Sequence, residues 1–196
     1  MFFTAFDGYI NRLLAAQKRD LFRDLPGQVV EIGAGVGANF RYFPNGARVT
    51  AVEPNLHMHD PLCRRAGDFG IELDLVPAGA EAIPLPDDSA EAVISTLVLC
   101  TVDDPEQALG EVRRILKPGG RFLFVEHVAA PHGHWRRVLQ DVLHRPWRYI
   151  FEGCHTNRDT AAYIEAAGFR ELSLETHVMQ SPLVPENSQI SGVAVA

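Results

Sequence analysis

Three glycines at alternate positions, Gly33, Gly35 and Gly37, follow a short apolar run, with Glu31 just before them and Glu53 twenty residues after Gly33. Glycine tolerates left-handed backbone and lets the chain approach a ligand closely, and a turn into a helix aims backbone amides at the ligand's polar groups. An acid at the end of the next strand suits the hydroxyls of a ribose. Read through Gly33, Gly35 and Ala38, the same turn also satisfies the dinucleotide fingerprint. The glycines therefore point to a nucleotide without choosing it. Glu31 favours a cofactor with a free amino group over one that presents a pyrophosphate, and Asn39 follows the turn where phosphate-neutralising cations would stand.

A second set of residues carries acid–base and sulfur chemistry. His127 ends an apolar run at the rim where doubly wound sheets bind ligands, and its ordinary pKa suits proton transfer near neutrality. The same placement lets it donate to a loop carbonyl and hold the strand end. Glu126 alternates with it and is expected to make a buried structural hydrogen bond. Cys154-His155 invites a nucleophile or metal reading. However, His155 precedes Thr156, with Asp159 three residues on, so helix capping is the expected role. Cys100 reads as a small core residue at the edge of a ligand pocket. The three cysteines, Cys63, Cys100 and Cys154, are odd in number and form no CxxC pair, which argues against a zinc site or a disulfide framework. No metal is expected. Free thiols fit a reducing cytoplasm.

The elements that must position these residues alternate. Tyr9, Ile10, Leu13, Leu14, Leu21 and Phe22 give a helix over 8–24, stopped by Pro26-Gly27. Strands are expected at 29–32, 48–53, 71–76, 92–98 and 121–128. A helix should run from the glycine turn through Phe43, another from Asn55, and a third from Asp104-Pro105 with Ala108, Val112, Ile115 and Leu116 on one face. Alternation of this kind means a mostly parallel α/β sheet with helices on both faces. After residue 128 the pattern changes to a helical insert. Two strands then follow, 171–178 and 189–195, with no helix between them. They are expected to form an antiparallel hairpin at the edge of a seven-stranded sheet, which a dehydrogenase's second mononucleotide half would not.

The whole chain sets bounds. Its 196 residues fit one domain, and 25 acidic against 18 basic residues give a net charge of −7, which argues against nucleic acid as the main partner. No basic n-region opens the chain and no apolar stretch approaches the roughly 20 residues of a spanning helix. A soluble, cytoplasmic protein is expected, and its oligomeric state is left open.

At this point a resemblance enters. Glu31-Ile32-Gly33-Ala34-Gly35-Val36-Gly37-Ala38-Asn39-Phe40 resembles the first S-adenosylmethionine (SAM) motif of class I methyltransferases, and Val52-Glu53-Pro54-Asn55 resembles the second. The run Glu111 to Gly120 resembles the segment before their fifth strand, so the likeness covers about residues 18–128. A closer likeness is to the alkyl-thiol S-methyltransferases of animals and their bacterial relatives. It is carried by Gly37-Ala38-Asn39-Phe40, Pro54-Asn55-Leu56-His57, Thr96-Leu97-Val98-Leu99-Cys100, Glu126-His127-Val128-Ala129 and Gly153-Cys154. The same strings also occur in broader small-molecule methyltransferase groups.

The resemblance implies a Rossmann-like fold, SAM as cofactor and a small acceptor. Gly33, Ala34 and Gly35 would pack against the methionine portion and ribose, with Glu31 near the amino group. Glu53 would take the ribose hydroxyls, Pro54 and Met58 would flank adenine, and Ala80 and Glu81 would close its site. Thr96 and Leu97 would face the methionine part. One departure stands out. Many relatives have an Asp where this chain has Gly79, so adenine recognition falls to backbone near Ala80 or to Glu81. The animal members also associate with membranes through an N-terminal apolar segment that this sequence lacks.

Methyl transfer from a sulfonium needs alignment more than acid catalysis, and alignment contributes roughly 7–11 kcal/mol. An alkyl thiol of pKa about 8.5 costs about 2 kcal/mol to ionise near neutral pH, and a phenol near 10 about 4. A thiol is therefore the favoured acceptor. Alternatives are O- or C-methylation of a phenol, quinone or natural product, and SAM binding without turnover. If a base acts, it is His127. In the insert, Trp135, Val138, Leu139, Val142 and Leu143 fall on one helical face, with Arg136, Arg137, Arg145 and Arg148 on or just beyond the polar side, and Pro146 is expected to end the helix before Trp147. The expected role of 130–160 is a lid over the acceptor site, lined by Trp135, Trp147 and His155 together with Tyr9 and Cys100. A membrane-surface helix or a clamp for an acidic acceptor is less favoured. The first helix, over 1–25, would form a second lid, with Phe6 and Tyr9 near the sulfonium.

Overall fold

The computed structural model describes residues 8–9, 11–131, 133–150, 153–178 and 188–196. Phe6, expected beside Tyr9, lies outside them, as do Ile10 and the connection between the last two strands. Helix α1 (Ala15–Leu21) leads into strand β1 (Gln28–Ile32), and β2 (Arg48–Val52), α2 (Leu56–Phe69), β3 (Glu72–Val76) and β4 (Ala90–Thr96) follow. Next come α3 (Pro105–Ile115), β5 (Leu116–His127), α4 (Trp135–Ile150), α5 (Thr160–Ala166), β6 (Glu171–Val178) and β7 (Ser188–Val195).

The strands form one seven-stranded sheet in the order β3-β2-β1-β4-β5-β7-β6. The first five are parallel; β7 pairs antiparallel to β5 and β6, with Glu126 opposite Ile190 and Thr176 opposite Ile190 on the other side. The expected edge hairpin is thus present, with β7 inserted between β5 and β6. Strand residues alternate between two apolar layers. Val30, Ile32, Val93, Phe122 and Phe124 pack with Leu109, Val112 and Ile115 of α3 and Ile164 of α5. Val29, Ala92, Ile94 and Leu123 pack on the opposite face with Leu62 and Ala66 of α2 and with Phe22. That burial on both faces is why these strands are nearly continuous in apolar character.

Several expectations are corrected. The segment after the glycine turn forms only a single 3₁₀ turn, Phe40–Tyr42, instead of a helix through Phe43. Gly33, Gly35 and Gly37 all hold positive φ (58°, 55° and 75°), and the Asn39 side chain is spent on β1 and β4, so no helical run starts there. Strand β5 begins at Leu116, with its register broken between the Ala90–Leu116 and Ala92–Arg121 pairs, so Lys117-Pro118-Gly119-Gly120 bulges within the strand instead of preceding it. Helix α4 continues through Pro146. An interior proline costs roughly 3 kcal/mol, and the next residue, Trp147, packs against a third apolar cluster centred on Leu14 and Val125.

The face that α4 turns inward also differs. Trp135, Val138 and Val142 are 64%, 63% and 69% exposed, so three of the five stripe residues read as the packing face of a lid look outward, while Leu139 and Leu143 are half-buried. Gln140 is buried instead. It accepts the Ala130 N–H at 2.7 Å, donates toward the Val128 carbonyl at 3.4 Å, and its own carbonyl accepts the Thr156 hydroxyl at 2.8 Å. The helix is therefore anchored by hydrogen bonds to the chain leaving β5. No helix among the described residues is long and apolar enough to cross a membrane.

Candidate active site

Strands β1, β2, β4 and β5 end on one rim, and two groups of side chains gather there. The first surrounds the glycine turn. Glu53, nearly buried at the end of β2, accepts the Gly35 N–H through Oε2 and the Asn55 N–H through Oε1, both at 2.8 Å. It thereby shapes the turn and, with lone pairs left on both oxygens, remains able to accept from a ligand's hydroxyls. Gly33 packs so tightly that a Cβ there would overlap the methyls of Val98, whereas a Cβ on Gly35 would meet nothing within 4 Å. Open space beside a left-handed glycine is what a ligand lying on the backbone requires.

Glu31, the penultimate residue of β1, is 2% exposed and accepts the Asn39 side-chain N–H at 2.6 Å. Asn39 also donates to Thr96 Oγ1 at 3.0 Å, which ties the ends of β1 and β4 together. Two buried acceptors, Glu31 Oε2 and Asn39 Oδ1, have no hydrogen-bond partner among the described residues. Burial without full compensation pushes Glu31 up to about 7 despite the bond from Asn39 and the charge of Lys18. An ammonium group, with three donors, matches this pair of acceptors.

Lys18 is a residue that sequence reasoning missed. Its position on α1 reads as a polar face, but it is 2% exposed and donates to Asn11 Oδ1 at 2.7 Å. Asn11, Leu14, Lys18 and Phe22 are all buried, and their i, i+3, i+7, i+11 spacing is one helical face. The signal was available as two polar residues in register with Leu14 and Phe22. A buried cation facing a buried carboxylate is complementary to a zwitterion.

Of the residues expected to flank adenine, Pro54 is exposed and Met58 half-buried. Ala80 is buried in the core layer. Glu81 accepts the Asp103 N–H through Oε1 at 2.9 Å, and its Oε2 lies 2.9 Å from where a Cβ on Gly79 would stand. The Glu81 carboxylate thus lies beside position 79.

The second group lies where β4 and β5 end. Thr96 closes β4, and Leu97 then turns the chain with φ 59°, a left-handed conformation uncommon outside glycine. Glu126, fully buried on β5, holds that turn by accepting from Ser95 Oγ at 2.5 Å and from the N–H groups of Val98 and Leu99 at 3.1 Å. Burial still pushes its carboxyl up to about 7. The expected structural role is the one observed.

The turn delivers Cys100 to a corner shared with His127 and Cys154, whose potential ligand atoms all lie within 4.8 Å of one another. The two sulfurs are 3.5 Å apart. Sharing a proton with Cys100 holds Cys154 low, with His127 acting in the same direction, while the same contact and burial push Cys100 up. The helix cap expected around His155 and Thr156 is corrected. The N-cap of α5 is Asp159, which accepts from the Ala162 N–H at 3.3 Å, and Thr156 is spent on Gln140. The His155 backbone donates to the Cys100 carbonyl at 2.8 Å, and its ring lies 5.1 Å from that of His144. Burial and the Arg158 and Arg148 charges hold His155 below its usual value. Of the expected pocket residues, Tyr9 and Trp147 meet with Leu97 in the third apolar cluster. Trp135 is not among them. It sits on the outer face of α4, with the Arg136 guanidinium 5.5 Å from its ring centre.

Comparison with known proteins fits this arrangement. Residues 30–124 match a family model described as a methyltransferase domain. The human thiol S-methyltransferase TMT1B is 37% identical over 94% of this chain and 80% of its own length. A demethylmenaquinone methyltransferase from Renibacterium salmoninarum is 31% identical over 71% of this chain and 58% of its own. Among solved structures, a SAM-dependent methyltransferase from Thermotoga maritima, described as a possible histamine N-methyltransferase, superposes with a TM-score of 0.69 at 20% identity. That match spans 95% of this chain and 91% of the other.

Proposed function

The chain belongs to the SAM-dependent methyltransferases, and from that premise we propose that its methyl acceptor is the sulfur of a small, fairly apolar alkyl thiol. The observation that carries this reading is the corner at the ends of β4 and β5. There Cys100, His127 and Cys154 gather within 4.8 Å, and Tyr9, Leu97 and Trp147 form an apolar cluster on the β5 residue Val125. The nearest carboxylate, Glu126, is committed to Ser95, Val98 and Leu99. A pocket of this make-up suits an acceptor that ionises with little help.

SAM supplies a methyl group on a sulfonium and leaves as a neutral thioether, so the reaction needs no general acid. Glu31 Oε2 and Asn39 Oδ1 are the acceptors for the methionine ammonium, and Lys18 faces its carboxylate. Glu53 receives the ribose hydroxyls, while the backbone of Gly33, Ala34 and Gly35 lies against the methionine portion and ribose. Pro54 and Met58 flank adenine, with Ala80 beside it, and Glu81 accepts from its amino group in place of the acid missing at Gly79. Thr96 and Leu97 face the methionine part. His127, at the end of β5, is the catalytic residue that favours the anionic form of the acceptor sulfur. Helix α1 and the 130–160 insert wall the acceptor site through Tyr9, Trp147 and His155. Free thiols at the site suit a reducing, cytoplasmic setting.

The test is a panel of alkyl thiols against phenols, quinols and amines, scored by S-adenosylhomocysteine formation. Alkyl thiols should show kcat/KM at least about tenfold above any phenol, in line with an ionisation advantage of about 2 kcal/mol. Preference for a quinol would move the protein to the second reading, which its likeness to the demethylmenaquinone enzyme favours. Tight SAM binding with no turnover on any acceptor would make it a binding module.

A further inference from the structure

We propose that Cys100, His127 and Cys154 form a site for a thiophilic divalent cation of the zinc class, with a fourth coordination position open to the acceptor. Only the role of that fourth position rests on the thiol reading. Sequence spacing gave no hint of such a site, because its ligands come from three remote segments: the turn after β4, the last residue of β5 and the loop between α4 and α5.

The geometry is close to what tetrahedral coordination demands. Zinc–sulfur bonds of about 2.3 Å and a zinc–nitrogen bond of about 2.0 Å place two sulfurs about 3.8 Å apart and each about 3.5 Å from the nitrogen. Here the sulfurs are 3.5 Å apart and the three atoms all lie within 4.8 Å. Small side-chain rotations close the remainder.

The backbone around each ligand is fixed. The Cys100 carbonyl accepts from His155, and Arg158 donates to the Leu99 and Val102 carbonyls at 2.7 Å, clamping the turn from both sides. Thr160 donates to the His127 carbonyl at 2.9 Å. Cys154 follows Gly153, whose φ of 95° only glycine holds easily and whose N–H donates to the Arg148 carbonyl.

Charge and chemistry agree with that geometry. Two thiolates, a neutral imidazole and a dication sum to zero, a combination that a largely buried corner accommodates far better than bare thiolates. Sulfur and imidazole donors select zinc over harder cations such as magnesium or calcium. Glu126, the one carboxylate beside the ligands in sequence, is fully used and leaves the fourth position vacant for an exogenous ligand. Three protein ligands with one open position is the pattern of catalytic rather than structural zinc.

In that position an acceptor thiol would lose its proton to solvent and bind as the thiolate. The new sulfur–carbon bond forms as the methyl–sulfonium bond breaks, its electron pair passing to the SAM sulfur. The product is a neutral thioether, a weaker ligand, and it departs.

The experiment uses the full-length protein, stripped of metal by chelation and kept reduced with a phosphine, and titrates it with Co²⁺. One equivalent should bind, with a thiolate-to-cobalt charge-transfer band and the strong visible bands of four-coordinate cobalt, and Zn²⁺ should abolish both. The charge-transfer band should be lost in Cys154→Ser and His127→Ala, with SAM binding retained to show that both variants fold, and kept in Cys63→Ser. Adding an alkyl thiol should shift the visible bands, whereas a phenol should not. No cobalt spectrum, or one that survives both substitutions, overturns the site, as does isolation of a Cys100–Cys154 disulfide that still binds no cobalt once reduced. A cobalt spectrum indifferent to thiols overturns the open position. Thiol methylation by a protein that binds no metal would remove this proposal and leave the thiol reading standing.

Discussion

The two ends of the active-site cleft are built on opposite chemical plans. Around the glycine turn, the groups are carboxylates, an amide and a cation, and two of the buried oxygens have no partner among the described residues. That region is preorganised for a polar ligand with fixed charges. Where β4 and β5 end, the groups are sulfur, imidazole and aromatic surface, and the local carboxylate is locked away in structural hydrogen bonds. Under the proposed function, one end recognises the cofactor and the other lets a nucleophile form. Since the two ends meet through β4, whose last residues Ser95 and Thr96 bond to Glu126 and Asn39 respectively, substitutions should separate cleanly into those that move cofactor affinity and those that move turnover.

The largest effect is expected from Glu53→Ala. It removes the carboxylate that shapes the Gly35 turn and is proposed to receive the ribose hydroxyls, and loss of two charge-assisted hydrogen bonds should weaken SAM binding by at least about 100-fold. Calorimetric titration checks this; retained affinity would show that the turn alone recognises the cofactor. Next comes His127→Asn, for which kcat on an alkyl thiol should fall by about 100-fold as the sulfur loses the group that favours its ionisation, with SAM affinity unchanged within about twofold. If SAM affinity falls in parallel, the cleft does not divide as described.

Glu31→Gln sharpens the comparison through pH. The folded protein holds the Glu31 proton up to about pH 7, above its ordinary value of 4.5. The carboxyl therefore contributes stability that is complete below the ordinary value and lost as pH rises through about 7. An ammonium ligand needs the ionised form, so SAM should bind more tightly as pH rises through the same window. In the glutamine variant the slope of affinity against pH should flatten, and affinity above that window should fall by roughly tenfold, consistent with one charged hydrogen bond. Unfolding melts of the ligand-free variant should show weaker destabilisation with rising pH. Glu126, raised to about 7 as well, contributes to the slope that remains. The smallest effect is expected at Trp135. Its side chain faces outward, so Trp135→Ala should change neither SAM affinity nor thiol turnover by more than about twofold. A larger loss would restore the outer face of α4 to the acceptor site.

These two ends also differ in how far they can be read from the chain. The turn at Gly33 and Gly35 and the strand-end places of Glu31 and Glu53 are legible because backbone conformation and strand-end position are both local properties. The sheet and its terminal hairpin were legible for the same reason, through alternation and the absence of a helix before β7. The helix expected after the glycine turn failed because Asn39 bonds across to Glu31 and Thr96, contacts that no local pattern reveals. Lys18 was hidden by the rule that cations face water, and only its register with Asn11, Leu14 and Phe22 disclosed it. On α4 the apolar stripe was real but the anchor was Gln140, so the periodicity gave the helix and misjudged its rotation. Cys100, His127 and Cys154 share no spacing rule, since strand pairing and a loop bring them together.

Gly33 and Val98 carry a consequence for how this sequence can change over generations. A side chain at position 33 would collide with Val98, and φ of 58° would strain it even in empty space. Shrinking Val98 removes the first obstacle and leaves the second, so no single permissive change opens a route to alanine at 33. Drift of Val98 to a smaller residue costs only its packing against the core, whereas drift to anything larger presses on the glycine turn. Variation at these two positions should therefore run in one direction only. A library randomised at both should return glycine at 33 almost without exception and a range of small residues at 98.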